Sequence, residues 1–243
     1  MKFYTNVAQR GDKIYVRGIS NGKPVEFIES YKPYLFVAKK DGFYRTLDGT
    51  PVDKLKFGSI KEAKEFIENY EDVSNFEYYG LTNWQYVFMY DYYQGEINYD
   101  PSLVSVVTLD LECVADDGFP NIQLANKEIT AVTLRKNGRS IVLGCGTFVT
   151  DDPNVYYKKC VDEHDLLSSF LVMWEKLRPD IITGWNVEMF DIPYIANRIR
   201  NILGPEHVKR LSPWKIVNER EIVRGKSTTN SSKDISQRTE QVY

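Results

Sequence analysis

Histidine and cysteine are scarce in this chain, and each scarcity closes a line of chemistry. The 243 residues hold two histidines, His164 and His207, and three cysteines, Cys113, Cys145 and Cys160. His164 sits at a helix start and His207 in a basic loop, so a Ser-His-Asp hydrolase has no support. The cysteines lack the paired spacing of a zinc site, and an odd, sparse set reads as reduced thiols in a cytosolic compartment. No apolar run approaches a membrane span, and the chain opens on Lys2 and an alternating pattern, not on a signal peptide. These features predict a cytoplasmic protein with no membrane partner. A basic excess is also missing: the formal net charge is −3, so any nucleic-acid contact must come from a local patch. Gly225-Lys226-Ser227-Thr228 lacks the leading glycine of a phosphate-binding loop, because position 220 is Arg220. Gly144-Cys145-Gly146 lacks the third glycine of a dinucleotide turn.

What is present is enough apolar residue, 42%, for one large core or two ordinary ones. Residues 1–100 read as a β-rich domain. KFYTNVAQRGDKIYVRGIS predicts two strands around Gly11-Asp12, and Asn21-Gly22 marks another turn before PVEFIESYKPYLFVAKK. A short helix is expected over Ile60 to Tyr70 with Ser59 as its cap. The dense aromatics from Phe76 to Tyr99 read as packing in a sheet, or as a stacking platform for single-stranded nucleic acid. A boundary is expected near Asn98-Tyr99-Asp100-Pro101.

Residues 101–243 read as a mixed α/β domain. An apolar strand runs from Leu103 to Leu111, and EITAVTLRK and RSIVLGCG flank the tight turn Asn137-Gly138 as a hairpin. A helix capped by Asp162 runs to about Leu177, where Pro179 ends it. A strand over Ile181 to Thr183 and a helix starting at Asp191 and closed by Gly204 follow. Three strands, helix, strand, helix is the order at the front of a ribonuclease-H-like sheet, an analogy of fold alone. From Arg198 to Lys226 the chain turns basic. KIVNEREIVR reads as a hairpin, and GKSTTNSSKDISQRTEQ as a polar, mobile loop.

The chemistry concentrates in VVTLDLEC and IITGWNVEMFDIPY. Alternate strand residues share a face, so Asp110 and Glu112 project to the same side. Two adjacent carboxylates repel unless a proton or cation lies between them, and their oxygens suit Mg2+ or Mn2+. Asp191 completes the set. Such carboxylates suit a two-metal nuclease, in which ions about 3.5–4 Å apart clamp the attacking and leaving oxygens of a phosphodiester. Plainer readings stand beside this one: solvation at a strand end for the pair, and an ordinary N-cap for Asp191.

DLECVADDGFP and IITGWNVEMFDIPYIANRI resemble the first and second exonuclease motifs of family-B DNA polymerases of tailed bacteriophages. YKPYLFV and KRLSP fit the same group, and the likeness covers essentially the whole chain. It implies a β-rich domain followed by a 3′-to-5′ proofreading exonuclease domain. It makes Asp110, Glu112 and Asp191 both catalytic residues and ligands of two Mg2+ or Mn2+ ions. Phe119, Asn186 and Phe190 become candidate contacts to the primer end, joined from the basic stretch by Arg220 and Arg224. The implied partners are single-stranded and primer-template DNA, with RNA and a C-terminal polymerase chain as further candidates. A sliding clamp would be reached only through a missing C-terminal part. Two departures count. The third motif, Y-x-x-x-D, does not follow Asp191: four positions before Asp234 stands Asn230. The palm motifs S-L-Y-P-S and D-T-D are absent as well, so the chain reads as a fragment with little or no activity of its own. A non-catalytic DNA- or RNA-binding module, and one half of a split polymerase, are the alternatives.

Overall fold

The computed structural model describes residues 2–70, 73, 76–116, 118–223 and 235–241, those beyond residue 218 by backbone alone. The chain divides into two units, Met1–Leu103 and Val104–Tyr243. The mixed α/β class holds, with a β-rich first unit.

In the first unit, β1 (Lys2–Arg10), β2 (Lys13–Ser20) and β3 (Lys23–Ser30) form an antiparallel meander. Asn21 and Gly22 both take positive φ, the twist that suits a two-residue hairpin. A second sheet has the order β5-β6-β4-β7, from β4 (Tyr34–Ala38), β5 (Tyr44–Arg45), β6 (Pro51–Lys56) and β7 (Tyr78–Tyr79). Helix α1 (Ile60–Tyr70) starts as expected: the Glu62 amide donates to Ser59 Oγ at 3.1 Å, and the Glu62 carboxylate accepts from the Gly58 amide at 2.6 Å. The aromatic stretch departs from its reading as sheet. It contains β7, but its longest element is a helix, α2 (Trp84–Tyr92), which buries Trp84, Val87 and Phe88. Their i, i+3, i+4 spacing places them on one face, and burying that face outweighs the strand preference of the rings.

In the second unit a five-stranded sheet has the order β11-β10-β9-β8-β12. It comprises β8 (Val106–Cys113), β9 (Ile129–Lys136), β10 (Arg139–Gly144), β11 (Val155–Lys159) and β12 (Ile181–Thr183). The strands β8, β9 and β10 pair antiparallel, while β11 and β12 add in parallel at the edges. Strand β11 corrects the expected count of three strands before the helix; five residues with two lysines, VYYKK, carry little strand signal. Helix α3 (Glu163–Leu177) is capped as expected, Asp162 accepting from the Asp165 amide at 2.8 Å. Helix α4 (Asp191–Ile202) follows β12, and the short α5 (Pro205–Val208) follows α4. One core joins Val107, Leu109 and Leu111 of β8 to Leu166, Phe170 and Trp174 of α3 and to Ile192, Ile195 and Ile199 of α4. Strand β13 (Val217–Val223) pairs with β14 (Ile235–Gln241). KIVNEREIVR, read as a whole hairpin, thus supplies only one strand, and its partner lies within the tail read as a loop, of which residues 225–234 fall outside the described ones.

Candidate active site

Strand β8 sorts its side chains by parity. Val107, Leu109 and Leu111 are buried, while Asp110 and Glu112 face the other way and are exposed. Neither acid forms an ion pair with a lysine or arginine among the described residues. Their negative charge is left uncompensated on one sheet face.

Asp191 reaches this strand from the far end of a tight loop. Gly184 leaves β12 so close to β8 that a Cβ there would lie 2.4 Å from the Leu109 carbonyl oxygen. Asn186 takes a positive φ of 54° and its carbonyl accepts from the amides of Met189 and Phe190 at 3.0 and 2.9 Å. This turn sets Asp191 as the first residue of α4 and buries it. The expected capping role is replaced: Phe190 holds the N-cap position, and Asp191 Oδ1 accepts from the Leu111 amide at 3.0 Å. One hydrogen bond thus ties the two acidic segments across 80 residues of sequence. Burial pushes the Asp191 carboxyl up to about 6, the Leu111 amide opposes that rise, and the like charges of Asp110 and Glu112 add to it. The structure therefore brings all three acids within electrostatic reach of one another.

A chain of aromatic rings includes Phe190 and Tyr194, which flank Asp191 in sequence. Phe119, 80% exposed, lies 5.0 Å from Phe190, which stacks on Tyr194 at 5.3 Å. Tyr194 is itself fixed, its hydroxyl donating to the Lys127 carbonyl at 2.7 Å and accepting from the Lys127 amide at 3.1 Å. Cys113 sits beside Tyr194 with its thiol pushed up to about 11 by burial, so it is no nucleophile near neutral pH. Asn186 shapes the turn and is exposed. Arg220 occupies β13 in register with Arg238, and Arg224 lies outside the described residues. Sequence reasoning passed over two residues. Trp185 is 92% exposed, a conspicuous state for a tryptophan, and its signal was a large ring in a loop with no apolar period to bury it. Tyr194 was hidden within the apolar face of α4.

The donor set fits a hard divalent cation in kind, being all carboxylate oxygen with unneutralised charge. It does not enclose one: among the described residues, no three His, Cys, Asp or Glu side chains form a group that could hold an ion unaided.

A family model for the exonuclease domain of DNA polymerase family B matches residues 59–240. The chain belongs to this family. This family-B exonuclease chain is 32% identical over 250 residues to the DNA-directed DNA polymerase of Escherichia phage RB69, covering 88% of itself and 27% of that protein. To the DNA-directed DNA polymerase of Enterobacteria phage T4 it is 32% identical over 241 residues, 87% of itself and 27% of the relative. It is also 31% identical over 112 residues to the DNA polymerase delta catalytic subunit of Caenorhabditis elegans, 42% of itself and 10% of that protein. The family-B exonuclease chain thus spans about a quarter of the length of its phage relatives. Among its described residues, no helix is long and apolar enough to cross a membrane.

Proposed function

We propose that the second unit carries most of a 3′-to-5′ exonuclease site, with Mg2+ or Mn2+ held by Asp110, Glu112 and Asp191. In the longer protein this site would remove mispaired primer ends beside a DNA-directed DNA polymerase activity. The observation that carries the reading is the Leu111–Asp191 hydrogen bond, which brings the acid of one motif to the acids of another. Two divalent ions, when bound, would neutralise the phosphate and make hydroxide available near neutral pH. The chain's own residues do the positioning. The strand pleat aims Asp110 and Glu112 to one side, and the Leu111 amide fixes the rotamer of Asp191. Phe119, resting on Phe190, and Trp185 offer ring faces on which unpaired bases of a frayed end can stack. Arg220 and Arg224 are proposed phosphate contacts, which the salt dependence of single-strand binding tests.

Three carboxylates leave coordination positions to water, substrate phosphate or a further acid. With no Y-x-x-x-D after Asp191, this chain is expected to bind the ion weakly and to cut DNA slowly or not at all. Titration with Mn2+ followed by electron paramagnetic resonance tests the site directly. Binding that Asp110→Ala and Asp191→Asn each weaken at least about tenfold, roughly 1.4 kcal/mol, supports it. Binding indifferent to both substitutions removes the metal reading. Magnesium-dependent digestion of single-stranded DNA, abolished by Asp110→Ala, would instead show that three acids suffice.

A further inference from the structure

We propose that Cys145 and Cys160 are a modification site, an intramolecular dithiol that peroxide converts to a disulfide joining the residue just past β10 to the residue just past β11. Three features of the β10–β11 pairing place the two thiols together. The first is register: Gly144 pairs with Lys159, and the ladder continues one step further, the Cys160 amide donating to the Gly144 carbonyl at 2.9 Å. Cys145 therefore stands opposite Cys160 on the adjacent parallel chain. Neighbouring strands lie about 4.7–4.9 Å apart, inside the Cα separation of about 4.4–6.8 Å that a disulfide spans.

The second feature is parity. In a parallel pair, register partners point to the same face. Leu143 and Lys158 form the register pair two positions earlier, and both face α3. Leu143 is in the core with Leu166 and Phe170, and the Lys158 ammonium meets Asp165 at 3.0 Å. Cys160 is buried in that core, and Cys145 packs against it. The third feature is electrostatic: Cys160 contributes to raising the Cys145 thiol, after the larger effect of burial. Cys113 makes no such contribution, which leaves it as an internal control.

The reaction is a two-electron oxidation with a peroxide as oxidant. Burial raises the Cys145 thiol, so the step runs through its small thiolate fraction and quickens as pH rises: the thiolate attacks one peroxide oxygen, the O–O bond breaks, and with the proton it released a sulfenic acid and one water form. The Cys160 sulfur then displaces hydroxyl from that sulfenic sulfur, giving the S–S bond and a second water. Two thiol hydrogens and one peroxide thus become one disulfide and two waters, and dithiothreitol reverses the change. The bridge would fasten the segment just before Asp162, the α3 cap, and Glu163. The Glu163 carboxylate accepts from the Ile129 amide at 2.7 Å and pairs with Arg198 of α4.

Mass spectrometry of the full chain after mild hydrogen peroxide tests the proposal. Trypsin cuts after Arg139, Lys158 and Lys159, so the cysteines fall in separate peptides, 140–158 and 160–176. The expected result is a loss of about 2 Da, these two peptides linked, Cys113 still open to alkylation, and dithiothreitol restoring all three thiols. The closed loop of roughly 15 residues should raise the melting temperature by several degrees, up to about 10 °C. Cys145→Ser should abolish both changes and leave Cys160 a thiol. A gain of about 32 Da at Cys145 with Cys160 still alkylatable overturns the proposal, as does a bridge to Cys113 or between two chains. The wild-type peptide map decides the matter even if a variant fails to fold.

Discussion

Asp191 is where stability and chemistry pull against each other. Its carboxyl titrates near 6 in the folded chain against 3.8 for an unperturbed aspartate, so folding takes up a proton between those values. The contribution of this one group to stability is therefore greatest below about pH 4, falls as pH rises from there to 6, and is then lower by on the order of 3 kcal/mol. Asp191→Asn keeps an oxygen for the Leu111 amide and removes the charge. It should stabilise the metal-free chain by about 1–3 kcal/mol at pH 7.5, with no gain at pH 4, as read from urea denaturation at both pH values. A loss of stability at pH 7.5 would mean that the carboxylate is not penalised where it lies. At this scale the three acids were legible in advance, because strand parity and the T-G-W-N-x-E-x-F-D string are local. The amide that orients Asp191 was not, since Leu111 lies 80 residues away and only the folded sheet joins them.

Elements with a period and a cap were readable; those without were not. Helices α1, α3 and α4 each show an apolar stripe, and Ser59 and Asp162 cap the first two. Replacing Asp162 by Ala should cost about 1 kcal/mol, measured as a shift in the urea midpoint at unchanged slope. Helix α2 hid behind its rings, because Trp, Tyr and Phe favour strands until a buried face overrides them. Strand β11 was too short to signal, and β14 follows Ser, Thr and Asn that read as loop. Gly184 carries the sharper prediction for the loop between β12 and α4. A methyl group there would press on the Leu109 carbonyl at 2.4 Å, and backbone cannot yield as a side-chain tip can. Gly184→Ala should destabilise by about 2–4 kcal/mol and weaken Mn2+ binding, since the shift passes along the loop to Asp191. An unchanged melting temperature would show that the strands part without cost.

On the scale of the whole molecule, the family match starts at residue 59, inside the first unit, while all three acids lie in the second. Residues 104–243 expressed alone should fold and bind Mn2+ within about threefold of the full chain, which is about 0.7 kcal/mol at most. A larger loss would show that the first unit supports the site. A downstream polypeptide bearing Y-x-x-x-D, mixed with this chain, should raise magnesium-dependent cleavage of single-stranded DNA; no increase would count against a shared site. The fold class was legible because both units have alternating strands and periodic helices. The absence of Y-x-x-x-D after Asp191 was legible as a departure from the family pattern.

The bare indole of Trp185 makes the molecule its own optical probe. Of four tryptophans, Trp84 and Trp174 are buried and Trp214 is partly so, leaving one ring bathed in solvent on the loop that leads to Asp191. Collecting light at the red edge of the emission band would favour that ring, since an indole in water emits at longer wavelength than a buried one, and a base laid over it would dim that emission. Occupancy could then be followed in real time by light alone, with no label attached and no bond cut.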